Sequence, residues 1–270
     1  SKYVFLHIIF ILIMIINFYK YQGTGNDFIL IDDREKLFDI NNSFLISSMC
    51  ERKFGIGADG LILLRNHKNC DFEMIFFNST GERSTFCGNG GRCIISFANF
   101  LGIFNNRCRF MAYDGLHEGI VRKNNVSMKM SDVNNIDVRE CSVVLDTGSP
   151  HLVKITDDLK SINVLKNGKK LSQSPEFGDY GINVNFVDLN DGVSIRTYER
   201  GDEMESLSCG TGSVATAIAL FELKKSQSTN LTLKTIGGNL TVSFKYDGFK
   251  YTDIWLTGEA SIVYSGEFEC

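Results

Sequence analysis

Cys87-Gly-Asn-Gly-Gly-Arg-Cys-Ile-Ile-Ser-Phe-Ala-Asn-Phe-Leu (87–101) and Cys209-Gly-Thr-Gly-Ser-Val-Ala-Thr-Ala-Ile-Ala-Leu-Phe-Glu-Leu (209–223) are two versions of one segment. Each opens on Cys-Gly-x-Gly and continues as a run of helical length that is apolar nearly all round. A helix without a polar face is buried on every side. Gly90–Leu101 and Thr211–Leu223 are therefore read as central helices. The two signatures stand 122 residues apart, Cys87 to Cys209. That spacing is too long for a solenoid and divides the chain into two similar halves.

Around these runs lie short stretches bounded by Gly, Asn or Asp that read as strands. They include Phe28–Asp32, Leu61–Leu64, Glu73–Phe77, Ser127–Met130, Val143–Asp146, Val184–Asp188, Ser194–Tyr198, Leu231–Thr235, Leu240–Lys245 and Asp253–Leu256. An amphipathic helix fits Ser43–Lys53. The expected fold class is α+β: two pseudo-symmetric halves, each a curved, mainly antiparallel sheet wrapped around a central buried helix. The first half is expected over 14–131 with Cys87, and the second over 132–258 with Cys209. Residues 259–270 are expected to return to the first half.

The bulk numbers agree with an ordinary globular chain. It has 270 residues, 43% hydrophobic and 22% charged, with a formal net charge of −4. No basic stripe marks a nucleic-acid surface, and the densest positive cluster, Lys166–Lys170, reads as a solvated turn. The run Tyr3–Phe18 is strongly apolar, but it lacks a small-residue cleavage site. It is also shorter than the roughly 20 residues a spanning helix needs. Residues 1–13 are expected to precede the natural start at Met14 or to be dispensable, and no membrane role is expected. Eight cysteines contain no C-x-x-C pair, so neither a metal site nor a disulfide framework is expected. Free thiols in a reducing cytoplasm are the simpler reading, with Cys50, Cys70, Cys93, Cys108, Cys141 and Cys270 as packing residues.

The paired signature has a chemistry. The first N–H groups of a helix lack intrahelical partners and form an anion site that suits a substrate carboxylate. A thiol in the same place feels the same field, which lowers its pKa. Two such thiols facing one α-carbon from opposite sides can remove a proton and return another, one as thiolate and one as thiol. The negative charge that develops on the carboxylate meets both helix N-termini. Such a reaction requires no pyridoxal phosphate or other cofactor.

Further motifs fall into order along the chain. They are Gly23-Thr-Gly-Asn-Asp-Phe (23–28), Phe54-Gly-Ile-Gly-Ala-Asp-Gly (54–60), Phe77-Asn-Ser-Thr-Gly (77–81), Gly148-Ser-Pro-His (148–151) and Tyr198-Glu-Arg-Gly (198–201). Together with the two cysteine signatures they resemble the diaminopimelate epimerase family from about Met14 to Cys270. The resemblance implies two pseudo-symmetric halves with the site in the cleft between them. It implies interconversion of LL- and meso-diaminopimelate, on the way to lysine and peptidoglycan, in a cytoplasmic homodimer. Cys87 and Cys209 would be the acid/base pair, and His151 and Glu199 would assist them. Gly88, Asn89, Gly210 and Thr211 would hold the reacting carboxylate through backbone N–H groups. Asn26, Asn78, Asn183, Glu199 and Arg200 would hold the ends of the substrate, with the Arg200 guanidinium suited to the distal carboxylate.

Three places vary from the family pattern: Ser149 stands where Asn precedes Pro-His, Gly60 follows the Asp of the Gly-Ile-Gly segment, and one extra residue separates Arg200 from Cys209. A proline-type racemase shares the paired cysteines, but a substrate with a second charged end needs a grip such as Arg200. A thiol redox protein would be expected to show C-x-x-C. A non-catalytic binding module of this fold would be expected to lose one cysteine.

Overall fold

The computed structural model describes residues 15–123, 125–201 and 203–270. Residues 1–13, expected to be dispensable, lie outside the described residues. From the N-terminal side come β1 (Ile15–Gly23), β2 (Asn26–Asp32), α1 (Ser43–Cys50), β3 (Gly60–Arg65), β4 (Phe72–Asn78), α2 (Gly88–Phe100), β5 (Arg107–Ala112), β6 (Gly115–Arg122) and β7 (Asn125–Lys129). There follow β8 (Ile136–Val138), β9 (Ser142–Asp146), β10 (Pro150–Ile155), α3 (Val164–Ser172), β11 (Asn183–Asp188), β12 (Val193–Glu199), β13 (Met204–Ser206) and α4 (Gly210–Glu222). The chain ends on β14 (Asn230–Thr235), β15 (Gly238–Tyr246), β16 (Tyr251–Glu259) and β17 (Ser261–Glu269).

The pairing repeats. β1 is antiparallel to β2, β2 parallel to β3, β3 antiparallel to β4, β4 parallel to β5, and β5, β6 and β7 form a meander. Strands β9, β10, β11, β12, β14, β15 and β16 repeat that order of directions. The parallel steps need crossovers rather than hairpins, and α1, α2, α3 and α4 each lie in one of them. Equivalent strands β7 and β16 then pair with each other, antiparallel. β17 runs back to pair with β1, from Ile15 opposite Glu269 to Gln22 opposite Ser261.

Both Cys-Gly-x-Gly helices are enclosed. Ile94, Ile95, Phe97 and Ala98 of α2 pack with Leu30, Ile62, Phe72, Phe110 and Met128. Val214, Ala217, Ile218 and Leu220 of α4 pack with Val153, Ile195, Leu240, Val242 and Leu256. Burying an aliphatic side chain of this kind stabilises by roughly 1.5–3 kcal/mol. The helices begin at Gly88 and Gly210, slightly before the predicted starts, because the glycines already take helical backbone.

Two local expectations are corrected. Helix α1 stops at Cys50 rather than Lys53, since Glu51 turns extended (φ −63°, ψ 123°). The N–H groups of Ile56 and Gly57 then return to the Met49 carbonyl. The lysine cluster 166–170 is not a turn but part of α3, started by the Asn163 side chain accepting from Lys166 N at 2.9 Å. Its lysines are exposed as expected, while Gly168 lets the helix lie against Tyr198, where a Cβ would collide.

Candidate active site

Cys87 and Cys209 hold the same position on their helices. Each is the N-cap, with φ −125° and ψ 120° at Cys87 and φ −120° and ψ 117° at Cys209. Residues in this place present the side chain to the orphan N–H groups of the first turn. Gly212 N donates to Cys209 Sγ at 3.4 Å; Cys87 makes no such cap hydrogen bond, although the nearby backbone N–H groups of Asn89 and Gly90 favour its thiolate. Cys209 is buried and Cys87 half-buried. The helices themselves touch.

The expected lowering of both thiols is corrected. Burial pushes Cys87 and Cys209 above the ordinary thiol value, outweighing the N–H donors that favour the thiolate. The Glu199 carboxylate raises both thiols through its charge, and it accepts a hydrogen bond from Cys209. One carboxylate thus acts on both sulfurs, which places the two N-caps around a single site.

His151 is fully buried on β10, and its ring hydrogen bonds run to other side chains than the two cysteines. Asn185 Nδ2 donates to its Nδ1 at 3.0 Å. That fixes Nε2 as the protonated nitrogen, which faces Thr211 Oγ1 at 2.9 Å and Ser149 Oγ at 3.0 Å. Thr211 Oγ1 lies 3.4 Å from Cys209 Sγ. The imidazole therefore reaches the thiol through one hydroxyl. Burial, followed by the nearby Arg200 charge, pushes His151 down to about 3, so it is neutral around pH 7.

Asn183 and Arg200 come together, with Arg200 N donating to Asn183 Oδ1 at 3.0 Å. The Arg200 guanidinium donates to Gly181 O at 3.1 Å. Asn26 is spanned at both ends, donating to Asp59 Oδ2 at 2.8 Å and accepting from Asn89 Nδ2 at 2.6 Å. Asn78 Oδ1 holds the following turn by accepting from Thr80 N, Thr80 Oγ1 and Glu82 N. Gly88, Asn89, Gly210 and Thr211 form the first turns of α2 and α4.

Four polar residues outside the expected set complete the network. Asn185 Oδ1 accepts from Thr197 Oγ1 at 2.9 Å. It shares a face of β11 with Asn183, two residues earlier, so the alternation of a strand would have found it. Thr24, between β1 and β2, and Ser208, beside Cys209, join hydroxyl to hydroxyl at 2.7 Å. Arg92 is the one charged residue of α2. Two of the six cysteines expected to pack, Cys141 and Cys270, are exposed instead. A surface cavity of about 440 Å³ lined by Asp71, Arg107, Arg109 and Glu118 contains none of these site residues. Among the described residues no three His, Cys, Asp or Glu side chains gather as a metal site. None of the described helices is long and apolar enough to cross a membrane.

Residues 18–136 and 143–263 match the family model described as diaminopimelate epimerase. The chain belongs to the diaminopimelate epimerase family. It is 48% identical over 249 residues to diaminopimelate epimerase of Flavobacterium psychrophilum, covering 91% of this chain and 97% of the relative. It is 39% identical to that of Chlorobaculum tepidum (91% and 98% covered) and 36% identical to that of Aquifex aeolicus (92% and 96%). Among solved structures, a Bacillus anthracis phenazine biosynthesis protein of the PhzF family superposes with TM-score 0.73 at 15% identity, covering 95% of this chain and 99% of that one. A hydroxyproline epimerase from Agrobacterium vitis gives 0.64 at 13% identity, covering 94% and 92%. These two likenesses concern the fold. Against the diaminopimelate epimerase pattern, the serine at 149 joins the site rather than leaving it. It accepts from Asn183 Nδ2 at 3.2 Å and meets both His151 and Thr211.

Proposed function

We propose that this chain interconverts LL- and meso-diaminopimelate by moving the α-proton between Cys87 and Cys209. The observation that carries the reading is the pair of matched N-cap thiols around one carboxylate, Glu199. The substrate carboxylate lies against the free N–H groups at the starts of α2 and α4, beside Gly88, Asn89, Gly210 and Thr211. As the α-proton leaves, both helix N-termini stabilise the charge that moves onto that carboxylate. One thiolate removes the proton, and the opposite thiol donates its own to the far face. The carbon is inverted, and the thiol pair exchanges roles.

The raised thiols fit this task. An amino-acid α-proton is a very weak acid, and a desolvated thiolate is a stronger base than one in water. Charge on the substrate's α-ammonium compensates for forming that anion in a buried place. Glu199 takes the Cys209 proton's hydrogen bond and, with Asn26, Asn78 and Asn183, receives the polar ends of the substrate. Arg200, whose guanidinium donates to Gly181 O, receives the distal carboxylate bidentately. Neutral His151 orients the Thr211 hydroxyl toward Cys209.

In this reading the halves are 14–131 and 132–258, with 259–270 returned to the first, supported by the β1–β17 pairing. The working form is a homodimer in a reducing cytoplasm. The exposed Ile262, Val263 and Tyr264 leave apolar surface on β17 for a second copy, and eight free cysteines suit such a compartment. Sedimentation of the purified protein tests the dimer. Incubation with LL-diaminopimelate, followed by separation of stereoisomers, tests the activity, and absence of the meso isomer would overturn it.

A further inference from the structure

Arg92 lies five residues beyond Cys87 on α2 and is the largest fully buried side chain, at 0% exposure. Its Nη2 donates to Thr24 Oγ1 at 2.9 Å and to Asn89 Oδ1 at 2.8 Å. Its Nε and Nη1 are buried without a hydrogen-bond partner. The guanidinium packs against Gly258 of β16, where a Cβ would stand 3.1 Å from Nε. Burial lowers its pKa, yet guanidinium begins so high that it keeps its charge. No carboxylate pairs with it among the described residues. A buried charge without a counter-ion is strongly destabilising, and two neutral acceptors do not offset that.

The cation has no counterpart on the other side. At the repeat spacing that relates Cys87 to Cys209, the residue matching Arg92 is Val214, which is fully buried in the α4 core. The ionisable groups that act on Arg92 are Cys93 and Cys87; beyond them, Asp27 on β2 acts on Cys93 and Glu199 on β12 acts on Cys87. Asp27 is already paired with Lys20 and Arg52. Glu199 hydrogen-bonds Cys209. Cys93 is sealed in the α2 core, and burial drives it far up. Cys87, half-buried and at the mouth of the helix, is the group left to answer the charge.

We propose that Arg92 is a positioning residue that makes the two thiols unequal, its fixed cation on the Cys87 side making Cys87 the first to release its proton to solvent. Arg92 acts through Cys87, Thr24 and Asn89 and does not touch substrate. The proposal rests on the two-thiol reading above. Its test does not require turnover, so the two can fail separately.

The experiment measures iodoacetamide alkylation of each cysteine, resolved by peptide mass spectrometry, from neutral to alkaline pH. In the unsubstituted protein the midpoint for Cys87 should fall below that for Cys209. Arg92→Met should raise the Cys87 midpoint and slow its alkylation at neutral pH about tenfold or more, since a midpoint moved up by about one pH unit cuts the thiolate fraction about tenfold. The Cys209 profile should stay in place. Arg92→Lys, which keeps the charge, should retain most of the difference. In turnover, kcat should drop in the Met variant with little change in KM, and Lys should restore part of it. A Cys209 midpoint at or below that of Cys87 in the unsubstituted protein overturns the proposal, whatever the variants do. So does a folded Met variant whose Cys87 profile is unmoved, or one in which both thiols shift together.

Discussion

The Asn89 side chain donates to both the carbonyl oxygen and the hydroxyl of Ser208, at 3.1 Å each. Asn89 stands two residues after one thiol, and Ser208 one residue before the other. A single amide therefore spans the two cysteine turns, and Thr24 closes the bridge by accepting from Ser208 Oγ at its carbonyl.

Ser208→Ala should loosen that bridge. Losing the hydroxyl leaves buried partners on Thr24 and Asn89 and should destabilise by about 1–3 kcal/mol. Because the reacting geometry is affected, kcat should fall more than KM rises. Unfolding in urea alongside steady-state kinetics checks both, and a variant unchanged in each would show the bridge to be incidental.

Cys87→Ala and Cys209→Ala should each abolish nearly all epimerisation while leaving the fold intact. The losses should not add in the double variant, since the two thiols act as one unit. In heavy water, early meso product formed from the LL isomer should carry solvent deuterium at the inverted carbon. Near-normal turnover in either single variant would end the two-thiol mechanism.

Arg200→Lys exchanges a fork of donors for a point charge. One charge-assisted hydrogen bond is worth about 1.5–3 kcal/mol, so kcat/KM for diaminopimelate should fall about tenfold or more. An unchanged constant would place the distal carboxylate elsewhere.

His151 gives stability a pH dependence. Its folded value of about 3 lies below the ordinary 6.5, so below pH 6.5 the unfolded chain takes up a proton that the folded protein refuses. The contribution is fully present above 6.5 and is lost as pH falls toward 3, by an amount on the order of a few kcal/mol. Urea midpoints at successive pH values should therefore drop more steeply through this window than those of His151→Gln. Parallel curves would mean that His151 does not control the loss.

Gly212→Ala should disturb the same cluster from the helix side. A Cβ there runs into Asn185 Oδ1, the atom that accepts from Thr197. Overpacking of this kind typically costs about 1–3 kcal/mol. Displacement of Asn185 also frees His151 Nδ1. A variant with unaltered melting and unaltered activity would show that β11 can yield.

The two buried helices, their cysteine caps and most strands were legible because they depend on local pattern. A run such as Ile218-Ala-Leu tells of burial, and glycines beside a cysteine tell of a helix start. The α3 helix was missed because Lys166, Lys169 and Lys170 look like a solvated turn, and only Gly168 against Tyr198 reveals its docking. The raised thiols were missed for a different reason. The helix field is visible in sequence, whereas desolvation depends on what the rest of the fold places over Cys209. Ser208 and Thr24 lie 184 residues apart, and no spacing rule joins them. The role of Ser149 likewise required seeing Asn183, His151 and Thr211 converge on it.

The pairing of β1 with β17 has a consequence for the order of synthesis. β1 is the first of the described strands to leave the ribosome, but one of its edges has no mate until β17 emerges, after every strand of β8–β16. The α4 side can close while translation continues, whereas the α2 side must wait with an open edge. Long-range pairings of this kind are slow and leave strand edges exposed meanwhile. Amides of β1 facing β17 should thus gain protection from hydrogen exchange late, in step with β17, and a nascent chain halted before Ser261 should show them unprotected.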